Sequence, residues 1–261
     1  MPARDDDHEA PMTDATVPQQ IRRPVASPRN TTPDRVNKVT YVLIPGAASS
    51  SWHWHLLAER LRAHRQQVVT VDLPVDDDAA GLADYAGAVV DAVDGPVGRL
   101  VLVAHSFAGF SAPLVCERVP VTLLVLLNAM VPSPGETAGQ WWEATGHTAA
   151  VEEATTSTGA AAVDGFFHDL PSELAVQARA RVREQSDTPF AEPWPLEAWP
   201  DVPTRVLISR GDRVLPVALQ RTVARERLHL VPDEMDGGHF VALSRPGELA
   251  DRLQAYADGT S

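Results

Sequence analysis

Cysteine is nearly missing from this chain of 261 residues: Cys116 stands alone, so no internal disulfide and no cysteine-based metal site can form. Positive charge is scarce too, with 22 Lys and Arg against 35 Asp and Glu, a formal net charge of -13, and Lys38 as the only lysine. A phosphate backbone or an anionic bilayer surface repels such a chain on average, so nucleic acid is not an expected partner. No apolar run approaches the ~18 residues that a bilayer span requires, and no membrane association is expected. Arg22-Arg23 is followed by Pro24-Val-Ala-Ser-Pro28 rather than by a hydrophobic stretch, which argues against an export signal. The expected location is the cytoplasm.

What is present is apolar residue content of 44%, enough for one large α/β domain with a buried core. Residues 1–37 are rich in Pro, Asp, Arg, Thr and Gln without apolar periodicity, and read as a flexible tail. Beyond them, short apolar runs alternate with helical stripes. Tyr41–Ile44, Gln67–Pro74, Leu100–Ala104, Val121–Leu127, Arg205–Ser209 and Leu228–Val231 read as strands. Most are continuously apolar rather than alternating, the pattern of strands covered on both faces and hence of a mostly parallel sheet between helices. Leu249, Leu253 and Tyr256 mark a closing helix.

The interval 130–203 interrupts this alternation without any strand pattern. It reads as a helical cap inserted over the carboxyl edge of the sheet, with 38–129 and 204–261 as the core. Its aromatic pairs Trp141-Trp142 and Phe166-Phe167, together with Phe240 further on, are candidate pocket residues. Packing within the insert is an equally open reading for the cap aromatics.

The run Val101-Leu-Val-Ala-His-Ser-Phe-Ala-Gly109 carries the chemistry. Its apolar strand stops at His105-Ser106 and a helix is expected from Phe107, so Ser106 falls on a sharp strand-to-helix turn with the small residues Ala104 and Ala108 two positions either side. Pro113 lies inside that expected helix and should bend or end it near Ala112. A serine hydroxyl becomes a nucleophile when an imidazole takes its proton and a carboxylate holds the imidazole in the right tautomer. Asp212, in the loop after Arg205–Ser209, and His239, in the Gly-rich loop Met235-Asp-Gly-Gly-His239, supply both at the same edge of the sheet. The chain order serine, acid, histidine is the one a nucleophile elbow requires.

On these motifs the chain resembles the α/β-hydrolase superfamily, from residue 39 to about residue 257. Ile44-Pro-Gly-Ala47 with Trp52-His-Trp-His-Leu56 is similar to the branch that holds plant methylesterases and hydroxynitrile lyases. The resemblance implies an oxyanion hole made by the backbone N–H groups of Ala47 and Phe107. Departures are Pro45, where a histidine usually precedes the oxyanion glycine, and Ala104 and Ala108 in place of elbow glycines. Some relatives carry the acid after the preceding strand, where this chain has Asn128-Ala129.

The implied function is a serine esterase acting on a small or medium apolar ester through an acyl-enzyme, with thioester and lactone cleavage left open. Such chemistry calls for no cofactor and no metal. A hydroxynitrile lyase is a rival, but resemblance to those lyases implies a lysine beside the catalytic histidine and a threonine in the oxyanion loop, where this chain has Phe240 and Gly46. A ligand receptor that keeps the fold and triad is another. Association into homo-oligomers is left open. His53 and His55 lack a third ligand at suitable spacing and read as packing residues, His105 as bordering the pocket, and Asp233, Glu234 and Asp236 as a solvated acidic turn. The arginines of Arg179–Arg183 read as solvated cap surface.

Overall fold

The structure is a computed structural model describing residues 38–93, 98–158 and 165–259, all within one unit, Pro33–Ser261. The tail expected over residues 1–37 lies outside the described residues. Six strands, β1 (Val39–Ile44), β2 (Gln67–Thr70), β3 (Arg99–His105), β4 (Leu123–Leu127), β5 (Thr204–Ser209) and β6 (Asp233–Met235), form one sheet in the order β2-β1-β3-β4-β5-β6. Every pairing is parallel.

Alternation along each inner strand explains why these runs are apolar throughout. Val42, Ile44, Leu100, Leu102, Leu124 and Leu126 face one core; Tyr41, Leu43, Val101, Val103, Val125 and Leu127 face the other. The first core is covered by α2 (Leu82–Ala92), α3 (Ala112–Cys116) and α8 (Val217–Leu228), the second by α1 (His55–Ala63) and α10 (Pro246–Asp258). Each fully buried leucine or valine contributes about 1.5–3 kcal/mol, so both faces of the sheet stabilise the same register.

Between β4 and β5 the chain forms only helices among the described residues: α4 (Ala138–Thr145), α5 (His147–Thr158), α6 (Ser172–Arg179) and α7 (Thr188–Ala191). A one-turn helix, α9 (Val241–Ser244), follows β6. No helix among the described residues is long and apolar enough to cross a membrane.

Two expectations are corrected. The sixth strand is not Leu228–Val231: Leu228 ends α8, His229 caps it with φ 55°, and Val231 is 90% exposed. The strand is instead Asp233–Met235, where the supposed acidic turn lies. Met235 is fully buried, Asp233 accepts from the Tyr256 hydroxyl, and Glu234 pairs with Arg210 and Arg221. An edge strand with one buried residue has no periodicity to read, and its charges are held by distant partners that also discourage edge pairing. Nor does a helix begin at Phe107. Ser106–Gly109 is a 3₁₀ turn, and α3 starts at Ala112 with Pro113 in its first turn, where the missing N–H removes no helical bond.

The register aligns the ends of the strands. Ile44 pairs with Ala104, His105 with Leu127, Leu127 with Leu207, and Ser209 with Met235. The loops after β1, β3, β4, β5 and β6 therefore leave from one edge. β1 lies between β2 and β3, so the order reverses there, which is where crevices open in parallel sheets.

Candidate active site

Ser106 leaves β3 with φ 56°, in the left-handed region that costs a non-glycine residue about 1–2 kcal/mol. The surroundings enforce it. The Met130 N–H donates to the Ser106 carbonyl at 3.0 Å, and a Cβ on Gly109 would come 1.8 Å from the Met130 carbonyl oxygen. A Cβ on Gly46 would stand 2.7 Å from the Ser106 Cβ. Only glycine lets the loop after β1 and the turn after β3 approach this closely. Ala104 and Ala108 are buried on either side of the turn.

Asp212 and His239 meet in the interior. His239 Nδ1 and Asp212 Oδ2 are 2.8 Å apart, and each residue is under 5% exposed. The other carboxylate oxygen, Oδ1, accepts from the N–H groups of Val214 and Leu215 at 2.8 and 2.9 Å, and Gln220 donates to Oδ2 at 3.3 Å. The two loops are also joined through the backbone, where Gly211 N–H donates to the Gly237 carbonyl at 2.9 Å. A carboxylate so held fixes the imidazole with Nδ1 turned to the acid, leaving Nε2 for proton transfer. Ser106 and His239 line one cavity, yet the Ser106 hydroxyl makes no hydrogen bond among the described residues. Such contacts are often long before substrate arrives.

Residues that sequence reasoning did not identify as supports position this pair. Asn128, at the end of β4 with φ 45°, donates to the His239 carbonyl at 3.0 Å and accepts from the Ser209 N–H at 2.7 Å. His105 Nε2–H donates to the same His239 carbonyl at 2.9 Å. Burial, then the neighbouring His239, hold the His105 imidazole well below its usual pKa, so it stays neutral. From the helical stretch between β4 and β5, Asp169 Oδ2 accepts from the Gly238 N–H at 2.6 Å, and a Cβ on Gly238 would fall 2.5 Å from Asp169 Oδ1. No local pattern marks these polar residues.

The loop after β1 is clasped in the same way. Ala48, at φ 54°, donates its N–H to Gln185 Oε1 at 2.9 Å and accepts from the Arg183 N–H at 2.8 Å. Ala47 and Phe107 both border the cavity, and neither backbone N–H donates to an acceptor among the described residues. They are therefore available to a developing oxyanion.

The cavity has a volume of about 680 Å³. Trp142, Phe166, Phe167 and Phe240 line it, joined by Phe190. Trp141 does not. It is 1% exposed, packs into the sheet core, and donates its indole N–H to the Val131 carbonyl at 2.9 Å. Adjacent residues on α4 point about 100° apart, so one tryptophan of the pair faces the core while its neighbour faces the cavity.

Other candidates settle into packing. His53 is buried beside Phe240, His55 lies against Trp52 with ring centroids 4.5 Å apart, and no metal-binding cluster occurs among the described residues. Arg179 lies over Phe167, Arg181 over Trp52, and Arg183 pairs with Asp76. Burial pushes the Cys116 thiol up to about 12, leaving it inert.

Comparison with known proteins identifies the family. Residues 41–252 match the Alpha/beta hydrolase family. Esterase PIR7B of Oryza sativa subsp. japonica is 30% identical over 115 residues, covering 40% of this chain and 43% of that protein, so the match spans less than half of that relative. The pyrethroid hydrolase of Sphingobium faniae JZ-2 superposes with a TM-score of 0.69 at 23% identity, over 85% of this chain and 98% of that one. Polyneuridine aldehyde esterase superposes at 0.67 and 20% identity, over 84% and 99%. At these identities the structural likeness speaks to the fold.

Proposed function

The chain belongs to the alpha/beta hydrolase family, and from that membership we propose that it is a serine hydrolase cleaving carboxylic esters through an acyl-enzyme. Ser106 Oγ attacks the acyl carbonyl while His239 Nε2 takes its proton. Asp212 holds the imidazole in orientation and stabilises the cation that forms. The N–H groups of Ala47 and Phe107 receive the oxyanion, a contribution typically worth about 10²–10³ in kcat per donor. His239 then delivers its proton to the leaving alcohol, and water, activated by the same imidazole, releases the acid.

One observation carries the reading: a buried carboxylate–imidazole pair at 2.8 Å whose histidine shares a cavity with a serine held at φ 56°. The aromatic lining of that cavity supports a small or medium ester with an apolar acyl or alcohol part. The esterase names of several relatives support the same reaction class. A fluorophosphonate probe tests the mechanism: rapid labelling lost in Ser106→Ala is expected, and no labelling of the folded wild type would favour a ligand receptor. A screen of acyl esters of graded length, beside a thioester and a lactone, then defines the substrate class.

A further inference from the structure

Arg213 follows the acid Asp212 and lines the same cavity as Ser106 and His239. Its environment sets it apart from the other arginines of comparable burial. Among the described residues, Arg99, Arg183, Arg213, Arg227 and Arg252 are half-buried. Arg183 pairs with Asp76, Arg227 with Glu136, and Arg99 and Arg252 donate to the carbonyls of Ala257 and Glu234. Arg213 has no acceptor among the described residues. A partly desolvated guanidinium loses hydration, and proteins ordinarily restore that loss with a carboxylate or a carbonyl.

The rest of the lining leaves the charge uncompensated. Among the described residues no Asp or Glu lines the cavity, and its other titratable groups are imidazoles. Burial holds His105 and His147 below their usual pKa, so both are neutral at pH 7. In a chain with net charge -13, a permanently cationic side chain therefore lines this cavity, as aromatic side chains also do. A planar guanidinium with several N–H donors matches a carboxylate in a two-pronged hydrogen bond.

We propose that Arg213 is a specificity residue that binds a carboxylate on the substrate, making the preferred substrate a half-ester of a dicarboxylic acid with an apolar spacer between its two ends. The inference rests on the serine-esterase reading of the cavity and adds the charge of the ligand to it. The uncharged end of the acyl chain, expected from the aromatic lining alone, is replaced by an anion, while the aromatic walls hold the spacer.

The test compares two 4-nitrophenyl esters of equal acyl length, the octanoate and the hydrogen suberate, at pH 7.5 where the free carboxyl is ionised. Wild type is expected to favour the suberate in kcat/KM. Arg213→Gln is expected to lower the suberate-to-octanoate ratio by about tenfold to a hundredfold, mainly through KM, with Arg213→Lys recovering part of it. Added salt should reduce the wild-type ratio, which keeps the test decisive even if a variant does not fold. A second arm measures binding of monomethyl suberate to Ser106→Ala by calorimetry, with and without Arg213→Gln. Hydrolysis of both esters with a ratio indifferent to Arg213 and to salt overturns the inference and leaves the esterase reading standing. Arg213-dependent binding without hydrolysis of either ester by wild type does the reverse. Neither binding nor hydrolysis overturns both.

Discussion

The side-chain amide of Asn128 donates to the backbone carbonyl of His239 across 3.0 Å, tying the end of β4 to the loop that carries the imidazole. Its oxygen simultaneously accepts from Ser209 at the end of β5, so one buried side chain spans three strand ends. Asn128→Ala leaves the Ser209 N–H without its partner and puts a residue less tolerant of φ 45° in its place. A loss of about 2–4 kcal/mol is expected from urea unfolding, with kcat falling as the histidine loop loosens. Unchanged stability in that variant would remove Asn128 from the supports of the site.

Asp212→Asn should lower activity with little effect on stability. The amide fills the same space, but it no longer favours the Nδ1-protonated tautomer or the imidazolium, and triads altered so lose about 10⁴ in kcat. The urea midpoint should change little beside that loss. A variant that fails to fold would make Asp212, which also accepts from Val214 and Leu215, a structural residue first.

Ser106 stores strain that its own removal should release. Replacing it by glycine, which adopts φ 56° without a steric cost, should raise stability by about 1 kcal/mol while abolishing ester hydrolysis. Differential scanning calorimetry measures the first and a chromogenic ester the second. A lower Tm in Ser106→Gly would contradict the strained-turn account.

Gln185, between β4 and β5, braces the loop after β1 through the Ala48 N–H and donates to the Tyr85 hydroxyl at 3.0 Å. Gln185→Ala should lower kcat by about tenfold through misplacement of the adjacent Ala47 N–H, while KM shifts less. Equal loss of kcat in a variant that keeps the Ala48 contact, Gln185→Glu, would argue against the brace, because its carboxylate can still accept there.

Acid should destabilise the fold through its buried imidazoles. Burial lowers the pKa of His53 and, more strongly, of His105, the latter also beside His239. The unfolded chain takes up protons at these groups near pH 6.5 while the folded chain does not. Their contribution is therefore complete above that pH and is lost as pH falls below it, at up to about 1.4 kcal/mol per pH unit for each group still neutral in the fold. Urea midpoints at pH 7.5 and 5.5 measure the slope. An equal or higher midpoint at pH 5.5 would mean these histidines protonate inside the fold.

Much of the site was legible because its signals are local. Ala104-His-Ser-Phe-Ala108 announces a turn by the abrupt end of an apolar run, and Gly237-Gly-His239 announces a loop by its glycines. The polar supports were not legible. Asn128, Asp169 and Gln185 are ordinary polar residues whose partners lie far along the chain, and no local pattern marks them as supports.

The strand order along the chain, the parallel sheet and the succession Ser106, Asp212, His239 follow from the sequence alone, because burial on both faces of a sheet demands continuous apolar runs and the loops between them carry the chemistry. The folded arrangement alone decided that Asp233–Met235 is the edge strand, that Trp142 and not Trp141 faces the cavity, and that Arg213 lacks an acceptor among the described residues. Those outcomes depend on which distant groups come to lie within a few ångströms, and neither hydrophobic period nor turn chemistry carries that information.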